Sequence, residues 1–114
     1  MADINDVFQN QVLEFRRGSI VLAIVSILRT EKHYGYSLLK ALERYAFPVD
    51  GSTLYPLLRR LEKQGVLISE WNTDDNRPRK YYSLTRDGEA LYKKLLTEWS
   101  DMNEKIKNIV KEDV

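Results

Sequence analysis

Six side chains on one short segment have the chemistry to hold a polyanion. Residues 52–63 read STLYPLLRRLEK. At about 100° per residue, Leu54, Leu57, Leu58 and Leu61 fall in one narrow arc. Ser52, Pro56, Arg59 and Lys63 fall near the opposite pole, with Arg60 and Tyr55 to either side. Hydroxyls and lysine ammonium groups hydrogen-bond phosphate oxygens, and arginine pairs with phosphate or with a guanine edge through two hydrogen bonds. A helix with one apolar and one hydroxyl-and-cation face suits the major groove of DNA, most of all if Ser52, Thr53 and Tyr55 stand at its N-terminus. The plainer reading is an ordinary amphipathic surface helix. A second basic cluster decides between them. Residues 76–82 (NRPRKYY) carry Arg77, Arg79 and Lys80 and no acid. Asp74 and Asp75 precede the cluster and would repel phosphate, which favours a merely solvated loop. The acids sit on one limb and the cations on the other, so Arg77, Arg79 and Lys80 are expected to face the DNA backbone or minor groove.

Catalytic chemistry has no residues to stand on. Cysteine is absent and His33 is the one histidine, so thiolate sites, disulfides and a histidine metal cluster are excluded. His33 lies in an expected turn beside Tyr34 and Glu31, the setting of a surface histidine. A glycine-rich phosphate loop, a nucleophile elbow and paired acids in an apolar setting are all missing. No cofactor or metal is expected, and the protein is not expected to be an enzyme.

The whole chain must position these groups. Its 114 residues fit one domain, with hydrophobic and charged fractions of 43% and 31% that suit a water-exposed globule. The net charge is only +1, so affinity for nucleic acid must come from local clustering. The longest apolar run, residues 20–27, is too short to span a bilayer. The first six residues carry two acids and no basic segment, unlike a secretory signal. A cytoplasmic location without membrane contact is expected.

Periodicity predicts a helix over residues 3–15, punctuation at Arg16, Arg17 and Gly18, and a buried helix over 19–29. Residues 30–34 read as a turn, 35–45 as a helix and 47–51 as a connector. Ser52 or Thr53 is expected to cap the next helix, with Pro56 near its first turn and Gly65 closing it. Residues 66–71 and 80–84 read as strands flanking a polar loop over 72–79. Thr85 is placed to cap a last helix reaching about residue 111. Leu67, Trp71, Tyr82 and Leu84 are the expected contacts of the hairpin with the helices, since a two-stranded hairpin is marginal alone. The order helix, helix, helix, hairpin, helix predicts a mainly α winged helix-turn-helix with a two-stranded wing. Residues 1–84 are expected to form the DNA-binding unit and residues 85–114 a dimerisation helix.

That last helix has the cleanest period in the chain. Tyr92, Leu95, Trp99, Met102, Ile106 and Ile109 are spaced 3, 4, 3, 4, 3, the seam of helix-on-helix packing. The seam can fold onto its own core or pair two chains. Three apolar helices already supply a core, which favours a homodimer, with Val7, Phe8, Val12 and Phe15 as the opposing surface. A two-fold dimer would present two recognition helices to a two-fold DNA site. In such a dimer two Trp99 rings can also bound a slot for a flat aromatic ligand beside Val12 and Phe15; the plain alternative is that Trp99 is only a large core residue. A different functional class also fits the near-neutral charge, a winged-helix protein-interaction module that never meets DNA.

Three runs, YGYSLLKALE (residues 34–43), STLYPLLRRLEKQGVL (52–67) and RKYYSLTRDGEALY (79–92), resemble the PadR family of bacterial transcriptional regulators. The resemblance covers roughly residues 17–99, with the motifs in order. The single short C-terminal helix is similar to the compact branch that includes multidrug-sensing repressors, and Glu98, Trp99 and Ser100 resemble the stretch where those proteins place a ligand-stacking tryptophan. The resemblance implies a homodimeric winged-helix repressor of an inverted-repeat operator in double-stranded DNA, released by a small aromatic or cationic effector. It also implies DNA contacts from Tyr34, Tyr36, Ser52, Thr53, Tyr55 and Pro56, with Lys80 and Tyr81 on the wing.

Overall fold

A single helix, α1 (Ile4–Leu28), opens the chain. The computed structural model describes residues 3–74 and 76–112. Asp3 caps α1 by accepting the Asn5 N–H at 3.1 Å. The expected break at Arg16–Gly18 does not occur. An isolated helical glycine costs only about 1 kcal/mol relative to alanine, and the next turns are held by burial of Ile20, Ile24, Val25 and Leu28. Arg17 instead pairs with Glu14 at 2.7 Å on the helix surface.

The expected turn at residues 30–34 contains a short strand, β1 (His33–Tyr34). It pairs antiparallel with β3 (Arg79–Leu84), through His33↔Tyr82 and Tyr34↔Tyr81. β3 pairs on its other side with β2 (Leu67–Asn72), so the sheet has three strands in the order β1-β3-β2. The third strand anchors a hairpin that would be marginal alone. It also buries His33, which is 7% exposed rather than a surface residue.

Helix α2 (Gly35–Arg44) follows β1 directly and buries Leu38, Ala41 and Leu42. Helix α3 (Gly51–Lys63) begins earlier than expected. Asp50 is its N-cap residue, and neither Ser52 nor Thr53 serves as the cap. Leu54, Leu57, Leu58 and Leu61 are all buried, as the spacing predicted. The helix ends in a Schellman turn: Val66 N–H reaches Leu61 C=O at 2.9 Å and Gly65 N–H reaches Glu62 C=O at 3.1 Å. Gly65 takes the left-handed φ of 79° that this turn requires. The same turn ends α2, but there Ala46 holds a φ of 58°.

Thr85 starts α4 (Arg86–Glu112) as expected. Its hydroxyl accepts the Gly88 N–H at 2.9 Å and lies 2.6 Å from the Gly65 carbonyl, tying α4 to the end of α3. A Cβ on Gly88 would meet the Val66 carbonyl at 2.3 Å, so only glycine allows this approach.

The core lies where α1, α2, α3 and the sheet base converge. Beyond it, the two long helices project. The radius of gyration is 17.0 Å, against about 13 Å for a compact domain of this length. On α4, Tyr92 and Leu95 are half-buried, while Trp99, Met102, Ile106 and Ile109 are exposed. On α1, Val7, Phe8 and Phe15 are exposed and Val12 is half-buried. The chain's own core therefore leaves most of the seam uncovered. Among the described residues no helix is long and apolar enough to cross a membrane.

Candidate nucleic-acid interface

The pole of α3 opposite its leucines is exposed along its length. Ser52 and Thr53 occupy the first turn, and Arg59, Arg60 and Lys63 continue the face. Because Asp50 provides the cap residue, both hydroxyls are left out of capping and point their chemistry outward. Among the described residues, no carboxylate pairs with Arg59, Arg60 or Lys63. Pro56 sits in the second turn. Lacking an N–H, it leaves the Ser52 carbonyl without its i+4 donor and adds an acceptor to this face.

Tyr55 is held by two glycines. A Cβ on Gly35 would come within 2.7 Å of Tyr55 Cε1, and one on Gly51 within 3.0 Å of Cε2. The ring is therefore bracketed between the N-termini of α2 and α3. Sequence reasoning missed both glycines; the only signal was that each immediately precedes an apolar helical pattern.

The sheet edge beside α2 is an aromatic and cationic stack. Tyr34 meets Tyr81 edge-to-face, with centroids 5.3 Å apart. The Arg79 guanidinium lies 4.6 Å from the Tyr34 ring centre, and Lys32 Nζ 5.6 Å from that of Tyr81. Both are cation–π distances. Lys32 was not singled out from sequence. Tyr36 is exposed, with Lys40 Nζ 5.5 Å from its ring centre. His33 braces this edge from beneath: Nδ1 lies 3.0 Å from Ser37 Oγ, whose hydroxyl donates to the Tyr34 carbonyl at 2.9 Å. Since that proton is committed, His33 Nδ1 is the donor. Its Nε2 lies 3.3 Å from Glu31. Burial pushes the His33 pKa down; Glu31 opposes this and Arg44 adds to it.

The wing divides its cations. Arg77 is exposed near the tip. Lys80 is tied down: its Nζ lies 3.1 Å from Glu62 on α3, and Ser69 on β2 donates to the same carboxylate. The Ser69 hydrogen bond, with Lys80, holds the Glu62 carboxyl below its usual range, and Glu62 raises the Lys80 pKa in return. Lys80 thus links wing to helix, a role its place in a basic run does not reveal. Asp74 is exposed, and Asp75 lies outside the described residues.

The expected hairpin contacts hold except for one. Leu67 and Tyr82 are buried and Leu84 is half-buried, but Trp71 is 65% exposed. Register explains the difference. Leu67↔Leu84, Ser69↔Tyr82 and Trp71↔Lys80 are successive pairs on the wing face turned toward α3. The expected contacts therefore share one face, but the third pair overhangs the end of the core.

The interface thus joins the open pole of α3, the tyrosine edge of α2 and β3, and the wing. Comparison with known proteins accords with this geometry. Residues 24–94 match the model of the transcriptional regulator PadR-like family. The chain is 38% identical over 77 residues to the transcriptional regulator Rv3488 of Mycobacterium tuberculosis, covering 68% of this chain and 72% of that one. Among solved structures, it is similar to a PadR family transcriptional regulator from Eggerthella lenta, with TM-score 0.89 and 39% identity over 94% of this chain and 95% of the other. It is also similar to a PadR-like transcription factor from Bacteroides fragilis, with TM-score 0.75 and 34% identity over 88% and 98%. These relatives are regulators rather than enzymes, and the chain, with its winged-helix architecture, belongs to the PadR-like family of transcriptional regulators.

Proposed function

We propose that the protein is a homodimeric repressor in which two copies of α3 enter successive major grooves of an inverted-repeat operator. One observation carries the reading: α3 buries four leucines on one side and leaves Ser52, Thr53, Tyr55, Arg59, Arg60 and Lys63 accessible on the other. In this reading Ser52, Thr53 and Tyr55 approach base edges, while Arg59, Arg60 and Lys63 hold phosphates. Tyr34, Tyr36 and Tyr81 contact the backbone beside α2, and Arg77 and Arg79 do so from the wing. Lys80 acts mainly by fixing the wing to Glu62. Residues 1–84 serve as the DNA-binding unit and residues 85–114 as the dimerisation helix.

The uncovered seam supports pairing of two chains. Trp99, Met102, Ile106 and Ile109 on α4, and Val7, Phe8 and Phe15 on α1, expose large apolar side chains that a second copy would shield. Trp99 at 51% exposure leaves a ring face for a flat aromatic or cationic effector beside Val12 and Phe15. The cytoplasm is where such a regulator meets its operator.

The test is an electrophoretic mobility shift on DNA upstream of the protein's own gene, with salt varied. A shift at low salt that weakens steeply as salt rises is expected, since each phosphate contact releases counterions. Absence of any shift at low salt, on this or neighbouring promoters, sinks the DNA reading and leaves a protein-interaction module. For the effector, tryptophan quenching by flat aromatic compounds is expected to vanish in Trp99→Ala; quenching that persists there overturns the slot.

A further inference from the structure

Trp71 is the largest apolar side chain exposed on the wing, and the dimer seam does not account for it. It lies on β2, not on the α1 and α4 surfaces of the proposed seam; Ile68, also exposed on β2, is on the opposite face of the strand. Its Cα partner is Lys80, and this pair is the outermost on the wing face turned toward α3. Trp71 shares a cleft of about 320 Å³ with Tyr34, Tyr55, Arg59, Arg79 and Lys80. One wall of that cleft is the open pole of α3 and the other is the overhanging wing. Three cations and several aromatic faces line it; of these cations, Lys80 is paired with Glu62, which Ser69 also engages.

Such a cleft suits a ligand that alternates negative charge with small apolar faces. A deoxyribose–phosphate strand has this character: its phosphates suit Arg59 and Arg79, and its sugar C–H faces suit an aromatic ring. We infer that Trp71 is a DNA-contact residue, packing on the sugars of one strand held between α3 and the wing. The inference rests on the DNA-binding reading above. It adds an apolar contact to the charged ones that Arg77 and Arg79 make from the wing.

The two kinds of contact separate by salt. Trp71→Ala removes no charge, so the slope of log Kd against log salt is expected to stay unchanged while affinity falls about tenfold, the scale of exposing several tens of Å² of ring to water. Arg59→Ala is expected to lower the slope by about one. Trp71→Phe is expected to recover most of the loss.

A direct readout is the acrylamide quenching of the parent protein minus that of Trp71→Phe, a difference that isolates Trp71 from Trp99. In the free protein, acrylamide is expected to quench Trp71 efficiently. Saturation with a duplex from upstream of the protein's own gene is expected to protect it several-fold. If that duplex shifts in a gel while Trp71 stays equally quenchable, the inference is overturned and the DNA-binding reading stands. If the parent protein shifts no duplex at all, both fall. A reduced salt slope in Trp71→Ala also counts against it, because it would mean that the substitution disturbed the cations instead.

Discussion

Replacing Gly35 with alanine tests whether the packing that presents Tyr55 is as tight as its geometry. The new Cβ would sit 2.7 Å from Tyr55 Cε1 and 3.1 Å from Cδ1. Non-bonded carbons prefer about 3.5–4.0 Å, so the ring must retreat by most of an ångström. Its far edge faces Gly51, where a Cβ would come within 3.0 Å of Cε2, so the only space for a retreating ring is what that glycine leaves open. Overpacking of this kind costs about 1–3 kcal/mol. Alanine at the start of α2 returns somewhat less than the roughly 1 kcal/mol difference in helix propensity. The expected net loss is about 1–2 kcal/mol, read as a lower urea midpoint at unchanged m-value. The diagnostic step is the same substitution in Tyr55→Ala. With the ring gone, Gly35→Ala is expected to become neutral or slightly stabilising, a coupling of about 1–2 kcal/mol between the two positions. Operator affinity is expected to fall in Gly35→Ala beyond what the folded fraction explains, since the displaced ring lies on the open pole of α3. An equal cost in both backgrounds would refute the bracketing argument.

Three further outcomes follow from other parts of the fold. Ala46 holds a left-handed φ of 58° at the end of α2, so Ala46→Gly is expected to stabilise the protein by about 1 kcal/mol in urea unfolding; a loss of stability would contradict the strain. Burial depresses the pKa of His33 below 6.5. The unfolded chain therefore binds a proton at a higher pH than the folded one, and stability present above that value is lost as pH falls below it. Glu62, held below 4.5 chiefly by Ser69, adds a second loss at lower pH. Urea midpoints measured at about pH 7.5 and about pH 5.5 are expected to differ in the parent and to converge in His33→Gln; equal midpoints in the parent would count against the burial of His33. In the seam, Trp99 leaves 51% of its surface accessible. For an aromatic side chain of about 150–250 Å² this is roughly 100 Å² per chain, worth at most about 5 kcal/mol over two chains. Trp99→Ala is thus expected to weaken the dimer by up to several thousandfold in sedimentation. No change would place the seam elsewhere.

The helical pattern was the most legible part of the chain. The four leucines of α3, Gly65 at its end and Thr85 before α4 stand where spacing and capping chemistry put them. What was hidden depends on contacts distant in sequence. Two residues are too short for periodicity to mark as a strand, so β1 emerges only through its pairing with β3, and with it the burial of His33. Gly18 looked like punctuation because local propensity does not register the burial that carries α1 through it. Trp71 shows the limit most clearly. It shares the inner face of the wing with Leu67 and Tyr82, but how far that face extends past the core is a property of the assembled layers. The coupling of Lys80 to Glu62 was invisible for the same reason, since a run of cations does not reveal which one meets a carboxylate on a neighbouring helix.

Two copies of α3 reading one two-fold DNA site must leave a symmetric footprint. Hydroxyl-radical footprinting of the promoter fragment bound by the protein tests this most directly. Two protected blocks are expected on one face of the duplex, related by two-fold symmetry and centred about 10 base pairs or a multiple of that apart. A single protected block, or two blocks with no symmetric relation, would contradict the two-fold reading.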